Sequence, residues 1–403
     1  MKTPLAGNQS WCRAAIMAVA SPLVISLAVM AYARPAARIA PRNLPVGIVG
    51  TSTASQGAVE GLAHSKPGSF DFHFYPDEAS ARSAIRERDV YGAFVVTLGS
   101  LTVLESTAAS PTVAQLLGKT GRQLAARASK AAADRAASSA RSAGSKRGRA
   151  GAEKPAQIRA RTVDVVQTSA DDPRGVVFSS ALLPLTICSI MIALVIAMSL
   201  RLRMSRLMAL IVVSGAAALG VYVVAQGFLG AMPHNHLATW ASLALTILAI
   251  SATTAGAVAL VGSAGLGLSA ALMVFVGNPF SGSTSAPELL PKAVDDIGQW
   301  LPPGAGASLV RGTAYFNGHD SAGHIAVLTL WSVLGLAAVL FGHRMSPVAK
   351  IPVANESATV GTEGPANDVA TPHVPPSPEE SSHSSSARIG MHAHPHARHA
   401  AGT

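Results

Sequence analysis

The sequence is poor in charge. Only 13% of its 403 residues are Asp, Glu, Lys or Arg, whereas soluble domains carry about 25%. The missing charge is absent from long continuous blocks, which excludes an ordinary soluble globular protein. Cysteine is scarce as well, with Cys12 and Cys188 alone. Neither has a second Cys or His at metal-ligand spacing, so the pair predicts no cysteine metal centre.

Motifs of catalysis and cofactor binding are also missing. The chain holds no G-x-S-x-G, no H-E-x-x-H and no convincing acid pair on a shared element. Gly118-Lys119-Thr120 imitates the end of a phosphate-binding loop, but Val113 stands where its first glycine belongs. The histidine-rich run from His392 to His399 lacks the fixed geometry that metal selectivity needs. We therefore predict no enzyme, no cofactor and no bound metal.

What the sequence does contain is a series of apolar blocks long enough to cross a bilayer, at about 20 residues per span. They predict an α-helical integral membrane protein with six transmembrane helices and a small α/β extracytoplasmic domain between the first and second. The predicted segments are, in order, a cytoplasmic N-terminus (1–12), a first anchor (13–33), the α/β domain with an Ala-rich helix (34–177), five clustered spans (178–200, 207–230, 239–260, 264–277 and 323–342) enclosing an outer loop (278–322), and a disordered cytoplasmic tail (343–403).

The first block leaves an alternative open. Ala31-Tyr32-Ala33 resembles a signal-peptidase site, so this block is either a cleaved signal peptide or a retained anchor. We favour the anchor because the block is longer than the usual apolar core of a signal peptide.

The orientation follows from the short loops. Arg201, Arg203 and Arg206 lie between the second and third spans, and short loops rich in Lys and Arg stay in the cytoplasm. This predicts a multi-pass protein of a bacterial plasma membrane with both termini inside the cell. The arginines after the first block point the other way, but long domains cross the membrane largely regardless of charge.

The segment 34–177 has the pattern of a soluble fold. Leu44–Gly50, Phe70–Tyr75 and Val90–Val96 are typical of strands, and helical patterns separate them, which predicts an α/β layer with a parallel pair. A further strand is predicted at Arg161–Gln167. The segment holds 20 Lys and Arg against 12 Asp and Glu, a net charge of +8. Few aromatic residues accompany this charge, so we expect anionic lipid or envelope polymer as a partner, or only a solvated basic surface, and no nucleic acid.

The outer loop is the most distinctive stretch. It contains Gly277-Asn278-Pro279-Phe280-Ser281-Gly282 and Trp300-Leu301-Pro302-Pro303-Gly304. Between these motifs, Leu289 to Leu301 has apolar residues at helical spacing, which predicts an amphipathic helix at the outer membrane interface with Trp300 in the interfacial belt. A short surface helix with no gating role is the alternative.

At these residues the chain resembles the type-2 ABC transporter permeases, in particular their phage-infection-protein-like branch. The resemblance covers roughly residues 10–345 and implies a membrane-embedded exporter subunit that acts as a homodimer, in contact with membrane lipid, with a separate ATPase. The residues assigned by this resemblance are an outer-loop gate (Asn278, Pro279, Ser281, Gly282, Trp300, Pro302, Pro303 and Arg311) and an ATPase contact (Arg201, Arg203 and Arg206).

Two functions remain open at this stage. The first is an exporter permease for a hydrophobic or amphipathic substrate, supported by the outer-loop motif and by spans without charged residues, which are unlike those of ion-coupled carriers. The second is a non-transporting envelope protein, of the secretion, scaffold or phage-adsorption type, that binds through its basic domain. The short loop around Arg201 favours this alternative, because it offers an ATPase little to contact.

Overall fold

The computed structural model describes residues 39–50, 53–65, 67–97, 100–142, 158–173, 175–231 and 235–342, together with isolated helical residues between 18 and 37. The predicted first anchor (13–33) lies largely outside the described residues, and the predicted tail (343–403) lies wholly outside them. Within the described residues the chain is mostly helical, with a small sheet in its N-terminal region, which confirms the predicted fold class at that level.

The N-terminal region, here called the sheet domain (residues 39–173), contains five strands and three helices. In chain order they are β1 (Leu44–Val49), α1 (Thr53–Ser65), β2 (Phe70–Tyr75), α2 (Glu78–Glu87), β3 (Gly92–Thr97), β4 (Ser100–Glu105), α3 (Pro111–Ser142) and β5 (Ala160–Asp164). The strand order is β2-β1-β3-β4-β5. Strand β1 pairs in parallel with both β2 and β3, as the alternating strands and helices indicate.

The helices cover both faces of this sheet. Alternate residues of β1, such as Val46 and Ile48, face α1 and α3, while Val49 faces α2 on the other side. Helix α2 begins after Asp77, whose carboxylate accepts a hydrogen bond from Ser80 N at 2.7 Å. Gly118-Lys119-Thr120 lies inside α3, so it forms no phosphate-binding loop.

Five described helices are long and apolar enough to cross a membrane. They are α4 (Val176–Ser199), α5 (Arg203–Phe228), α6 (His236–Val261), α7 (Ser263–Phe280) and α10 (Ala322–Phe341). Each begins and ends within four residues of one of the five predicted blocks. The last turns of α5 (Val223–Phe228) and part of α7 (Ala271–Gly277) are π-helical.

Helix α6 lies at the centre of the bundle and packs against α4, α5 and α10. A side chain at Gly256 would lie 2.7 Å from the carbonyl oxygen of Gly335, so glycine permits the close approach of α6 and α10. Between α6 and α7 the chain reverses at Gly262, whose φ of 72° and ψ of −145° suit glycine. The turn between these two helices is therefore a single residue.

The outer loop agrees with the prediction in part. The amphipathic helix predicted from Leu289 to Leu301 is present as helix α8 (Lys292–Trp300). A 3₁₀ turn (Pro287–Leu289) precedes it and a second helix, α9 (Pro302–Tyr315), follows it. Every residue of α9 is buried. We call α8 and α9 together the re-entrant hairpin (residues 292–315).

The tip of this hairpin lies beside the middle of the spans. The indole nitrogen of Trp331, the tenth of the twenty residues of α10, donates a hydrogen bond to the carbonyl oxygen of Trp300 at 2.8 Å. Gly306 packs against Thr246, the eleventh residue of α6, with no room for a side chain. The structure therefore corrects the expectation that Trp300 lies at the outer interface, because apolar length alone does not show that a loop folds back among the spans.

Candidate functional site at the outer loop

The distinctive motif of the outer loop packs against itself. A side chain on Gly298 would collide with the carbonyl group of Phe280, and one on Gly304 would collide with the carbonyl group of Gly298. Pro303 lies against Gly277, where an added Cβ would be 2.7 Å from the proline ring. The glycines and prolines that made the motif recognisable thus bring the end of α7 into contact with both helices of the hairpin.

The first four predicted gate residues lie together. Asn278 accepts a hydrogen bond from Thr186 of α4 at 3.5 Å and donates one to the carbonyl oxygen of Met273 at 3.4 Å. Ser281 donates to the carbonyl oxygen of Asn278 at 2.6 Å. Pro279 and Gly282 line a cavity of about 150 Å³ between α4, the end of α7 and the outer loop. Asn278, Ser281 and Gly282 are buried, Pro279 is partly buried, and the cluster contacts α4.

The other predicted gate residues separate into two environments. Pro302 and Pro303 are buried at the start of α9, whereas the Trp300 side chain is 63% exposed beside α10. Arg311 is buried on α9. The structure therefore places the eight residues in one loop but not in one cluster.

Arg311 is the charged group at the centre of the outer loop. Its guanidinium donates to the carbonyl oxygen of Ser283 at 2.8 Å and lies 4.7 Å from the ring centre of Phe178, at the start of α4. Burial, followed by the nearby cation of Arg88, lowers the pKa of Arg311 to about 10. Arg311 remains charged at neutral pH, and it connects α9, the loop and α4.

The sheet domain and the outer loop share a hydrophobic core. Ala286 and Leu289, which are 0% and 1% exposed, belong to the same buried cluster as Val46 of β1 and Leu117 of α3. The Arg42 guanidinium donates to the carbonyl oxygen of Leu289 at 2.6 Å. The core on this face of the sheet is thus completed by a segment more than 150 residues further along the chain.

Polar contacts support the same junction. The Tyr91 hydroxyl donates to the Glu288 carboxylate at 2.6 Å, and burial, followed by that carboxylate, raises the pKa of Tyr91. Arg88 lies 5.5 Å from the ring centre of Phe316 and 3.8 Å from the carboxylate of Asp320. Sequence reasoning missed Tyr91, Arg88 and Glu288. No local signal reports contacts between residues about 200 positions apart.

At the opposite end of the spans, the three arginines of the predicted ATPase contact lie in different environments. The connection between α4 and α5 is only residues 200–202, so Arg203 and Arg206 belong to α5 itself. Arg203 donates to the carbonyl oxygens of Leu340 and Gly342, both at 2.8 Å. Arg206 donates to those of Leu200 and Ala197 at 2.7 and 3.0 Å. Both guanidinium groups therefore bind the carbonyl ends of neighbouring helices, while Arg201 is exposed.

Five apolar helices, a re-entrant hairpin and a sheet domain docked on the loop between two spans define a multi-pass membrane protein. Within that class, residues 13–341 match the family described as ABC-2 family transporter protein. The chain belongs to this family, the type-2 ABC permeases, which are membrane components of transporters and generally not enzymes. No curated protein and no solved structure matches the chain.

Proposed function

We propose that this permease works with a separate ATPase, as a homodimer surrounded by membrane lipid, and exports a hydrophobic or amphipathic substrate. We assign it to the phage-infection-protein-like branch and to a bacterial plasma membrane. In this proposal the chain crosses the membrane six times, the sheet domain is extracytoplasmic and both termini are cytoplasmic. Family membership supports the exporter class and the ATPase, since permeases of this family typically act with one.

One observation supports the outer loop as the gate. The loop contacts the sheet domain at Leu289 and reaches the middle of the spans at Trp300 and Gly306. A change in the packing of the spans therefore reaches the sheet domain through one continuous segment. In the proposal, the Asn278 cluster and the re-entrant hairpin move when substrate leaves.

The charge distribution of the spans supports an ATP-driven mechanism over an ion-coupled one. The five described spans contain two charged residues, Arg203 and Arg206, and both lie at one end of α5. Carriers coupled to protons or sodium place ionisable groups within the membrane. The five described spans offer no such group at their own centres; the carboxylates nearest to them, Asp295 and Asp296, belong to the re-entrant hairpin.

The test is affinity purification from native membranes in mild detergent, followed by measurement of ATP hydrolysis. We expect an ATPase to co-purify and the Arg201→Glu variant to release it. Arg201 is the informative position, because substitutions of Arg203 or Arg206 also remove hydrogen bonds to helix ends. If no ATPase co-purifies and Arg201→Glu keeps the wild-type phenotype, the proposal is wrong.

The second candidate, a non-transporting envelope protein that binds through the basic sheet domain, has one observation in its favour. The α4–α5 connection is three residues long, and two of its three neighbouring arginines bind the protein's own helices. A phenotype that persists in cells without the ATPase would select this function.

A further inference from the structure

A groove opens on the side of the span bundle between α8 and α10. Its volume is about 390 Å³. The residues that line it are Asp296, Ile297, Trp300 and Leu301 of the hairpin segment and Leu330, Trp331 and Leu334 of α10. Six of these seven are apolar or aromatic. The Trp300 side chain is 63% exposed and Leu334 is 56% exposed, so the groove is accessible in the described part of the chain.

The position of the groove sets its surroundings. Leu330, Trp331 and Leu334 are the ninth, tenth and thirteenth of the twenty residues of α10. One wall is therefore the middle of a helix that is long and apolar enough to span a membrane. The Trp331 indole bonded to the Trp300 carbonyl oxygen joins this wall to the hairpin. A molecule in the groove would enter from the lipid side.

Asp296 is the anomalous member of this lining. No Lys, Arg or His nitrogen lies within 4.0 Å of its carboxylate among the residues that the structure describes. A carboxylate beside the middle of a span is costly unless it has a partner, and such groups mark functional sites. Asp296 is exposed at the groove, so its carboxylate is available to a cation from outside the described protein.

A second carboxylate makes the same region more negative. Asp295, on the adjoining face of α8, has one buried carboxylate oxygen without a hydrogen-bond partner among the described residues. Lys292, one turn earlier on α8, is exposed. The electrostatic environment of the groove is thus unfavourable for anions.

We propose that this groove binds a cationic amphiphile, a molecule with an amine or quaternary ammonium group and an apolar body. The cation pairs with the Asp296 carboxylate and lies over the exposed indole of Trp300, which attracts cations through its ring face. The apolar body lies against Leu330 and Leu334. A neutral amphiphile would leave the carboxylate unpaired, and an anionic one would be repelled by it.

The identification of this ligand with the exported substrate rests on the proposed function, but its binding does not. The probe is radiolabelled tetraphenylphosphonium, measured on the full chain in phosphatidylcholine nanodiscs without any ATPase, with empty nanodiscs subtracted. Unlabelled dodecyltrimethylammonium should displace it at about one-tenth of the concentration that dodecanol requires, since the two share a chain length and only one carries a positive charge.

Matched variants locate the site. Asp296→Asn should remove the roughly tenfold advantage of the cationic competitor, whereas Asp296→Glu should keep it. Asp134→Asn, which removes an exposed carboxylate from α3, should change nothing. Leu334→Trp, which fills the groove without changing its charge, should reduce the binding of the probe itself.

The inference is overturned if the cationic and neutral competitors displace the probe equally, or if Asp296→Asn retains the cationic preference. It is also overturned if Leu334→Trp binds the probe as the wild type does, a readout that holds even if Asp296→Asn fails to fold. Probe binding, together with no co-purifying ATPase and a wild-type phenotype of Arg201→Glu, would support this inference and contradict the proposed function. A co-purifying ATPase without probe binding would support the proposed function and contradict this inference.

Discussion

The two ends of the span bundle differ in the length and folding of the segments that connect the helices. At the outer-loop end, a loop of more than forty residues folds back among the spans and completes the core of the sheet domain. At the other end, here called the arginine end, residues 200–202 join α4 to α5, Gly262 alone separates α6 from α7, and two arginines bind helix carbonyl groups. One end is a folded assembly, and the other is a set of closely spaced helix ends.

This contrast separates two roles. The outer-loop end has the buried charge of Arg311, the polar cluster at Asn278 and the groove at Asp296, so the polar and charged groups that a ligand could contact lie there. The arginine end has short connections whose main cations stabilise the bundle. Four variants test whether the ends differ as the structure indicates.

The largest effect is expected where the outer loop enters the sheet domain. Leu289→Ala should lower the free energy of unfolding by about 2–5 kcal/mol, because it leaves a cavity at a side chain that is only 1% exposed. Thermal unfolding in detergent, with hydrogen exchange resolved along the chain, should show faster exchange in β1 and α3. The control is Leu237→Ala, at a position 72% exposed. Equal stability of the two variants would mean that the loop and the domain do not share a core.

At the arginine end the test is one of helix stability. Arg203→Ala removes two hydrogen bonds to the last carbonyl groups of α10 and should cost about 2 kcal/mol. Arg203→Lys should recover only part of this, because an ammonium group cannot reproduce the geometry of a guanidinium. Arg201→Ala serves as the control and should leave the melting temperature unchanged. A loss of stability at Arg201 equal to that at Arg203 would remove the distinction between the exposed and the bound arginine.

Much of the fold was predictable because hydrophobic length is a local property. Charge-free blocks located the five described spans to within four residues, and strand–helix alternation indicated the parallel β1–β2 pair. Strand β4 (Ser100–Glu105) was missed. Only two residues separate β4 from β3, and they carry no strong hairpin signal. Its second partner, β5, lies more than fifty residues later in the sequence, so no local pattern indicates that pairing.

The site was less predictable because its contacts are distant in sequence. The motif glycines identified the outer loop. The position of Trp300 along the spans, however, depends on its hydrogen bond with Trp331 of α10. The junction between the loop and the sheet domain depends on the hydrogen bond from Tyr91 to Glu288. The arginine cluster was recognised from its charge, which supports an orientation. That charge does not show which guanidinium groups bind helix ends.

A smaller effect is expected at the polar part of the junction. Tyr91→Phe removes the hydroxyl that donates to the Glu288 carboxylate and should cost about 1.5 kcal/mol. Hydrogen exchange should then increase around Glu288 while α6 and α10 are unchanged. Tyr75→Phe removes a hydroxyl from the other face of the sheet and is the control. If exchange increases equally at Gly262, the junction is not a local contact of the outer-loop end.

The smallest effect concerns pH and is also confined to the outer-loop end. Burial, followed by the Asp164 carboxylate on the neighbouring strand, raises the pKa of Glu105 from 4.5 to about 7. The folded state therefore favours the protonated form. This contribution to stability is fully present below about pH 4.5 and is lost as the pH rises through about 7. Because Glu105 is partly exposed, solvent screening should limit the change to about 1 kcal/mol or less.

Glu105→Gln isolates this contribution, since glutamine cannot ionise. The variant should be more stable than the wild type at pH 8, equal to it near pH 4, and should show a smaller decline between those values, because burial still raises the pKa of Asp164. Glu60→Gln, at an exposed position on α1, should keep the wild-type profile. Unfolding followed at the sheet domain and at the arginine end should show the pH dependence only in the domain. A profile unchanged by Glu105→Gln would place the pH-sensitive group elsewhere.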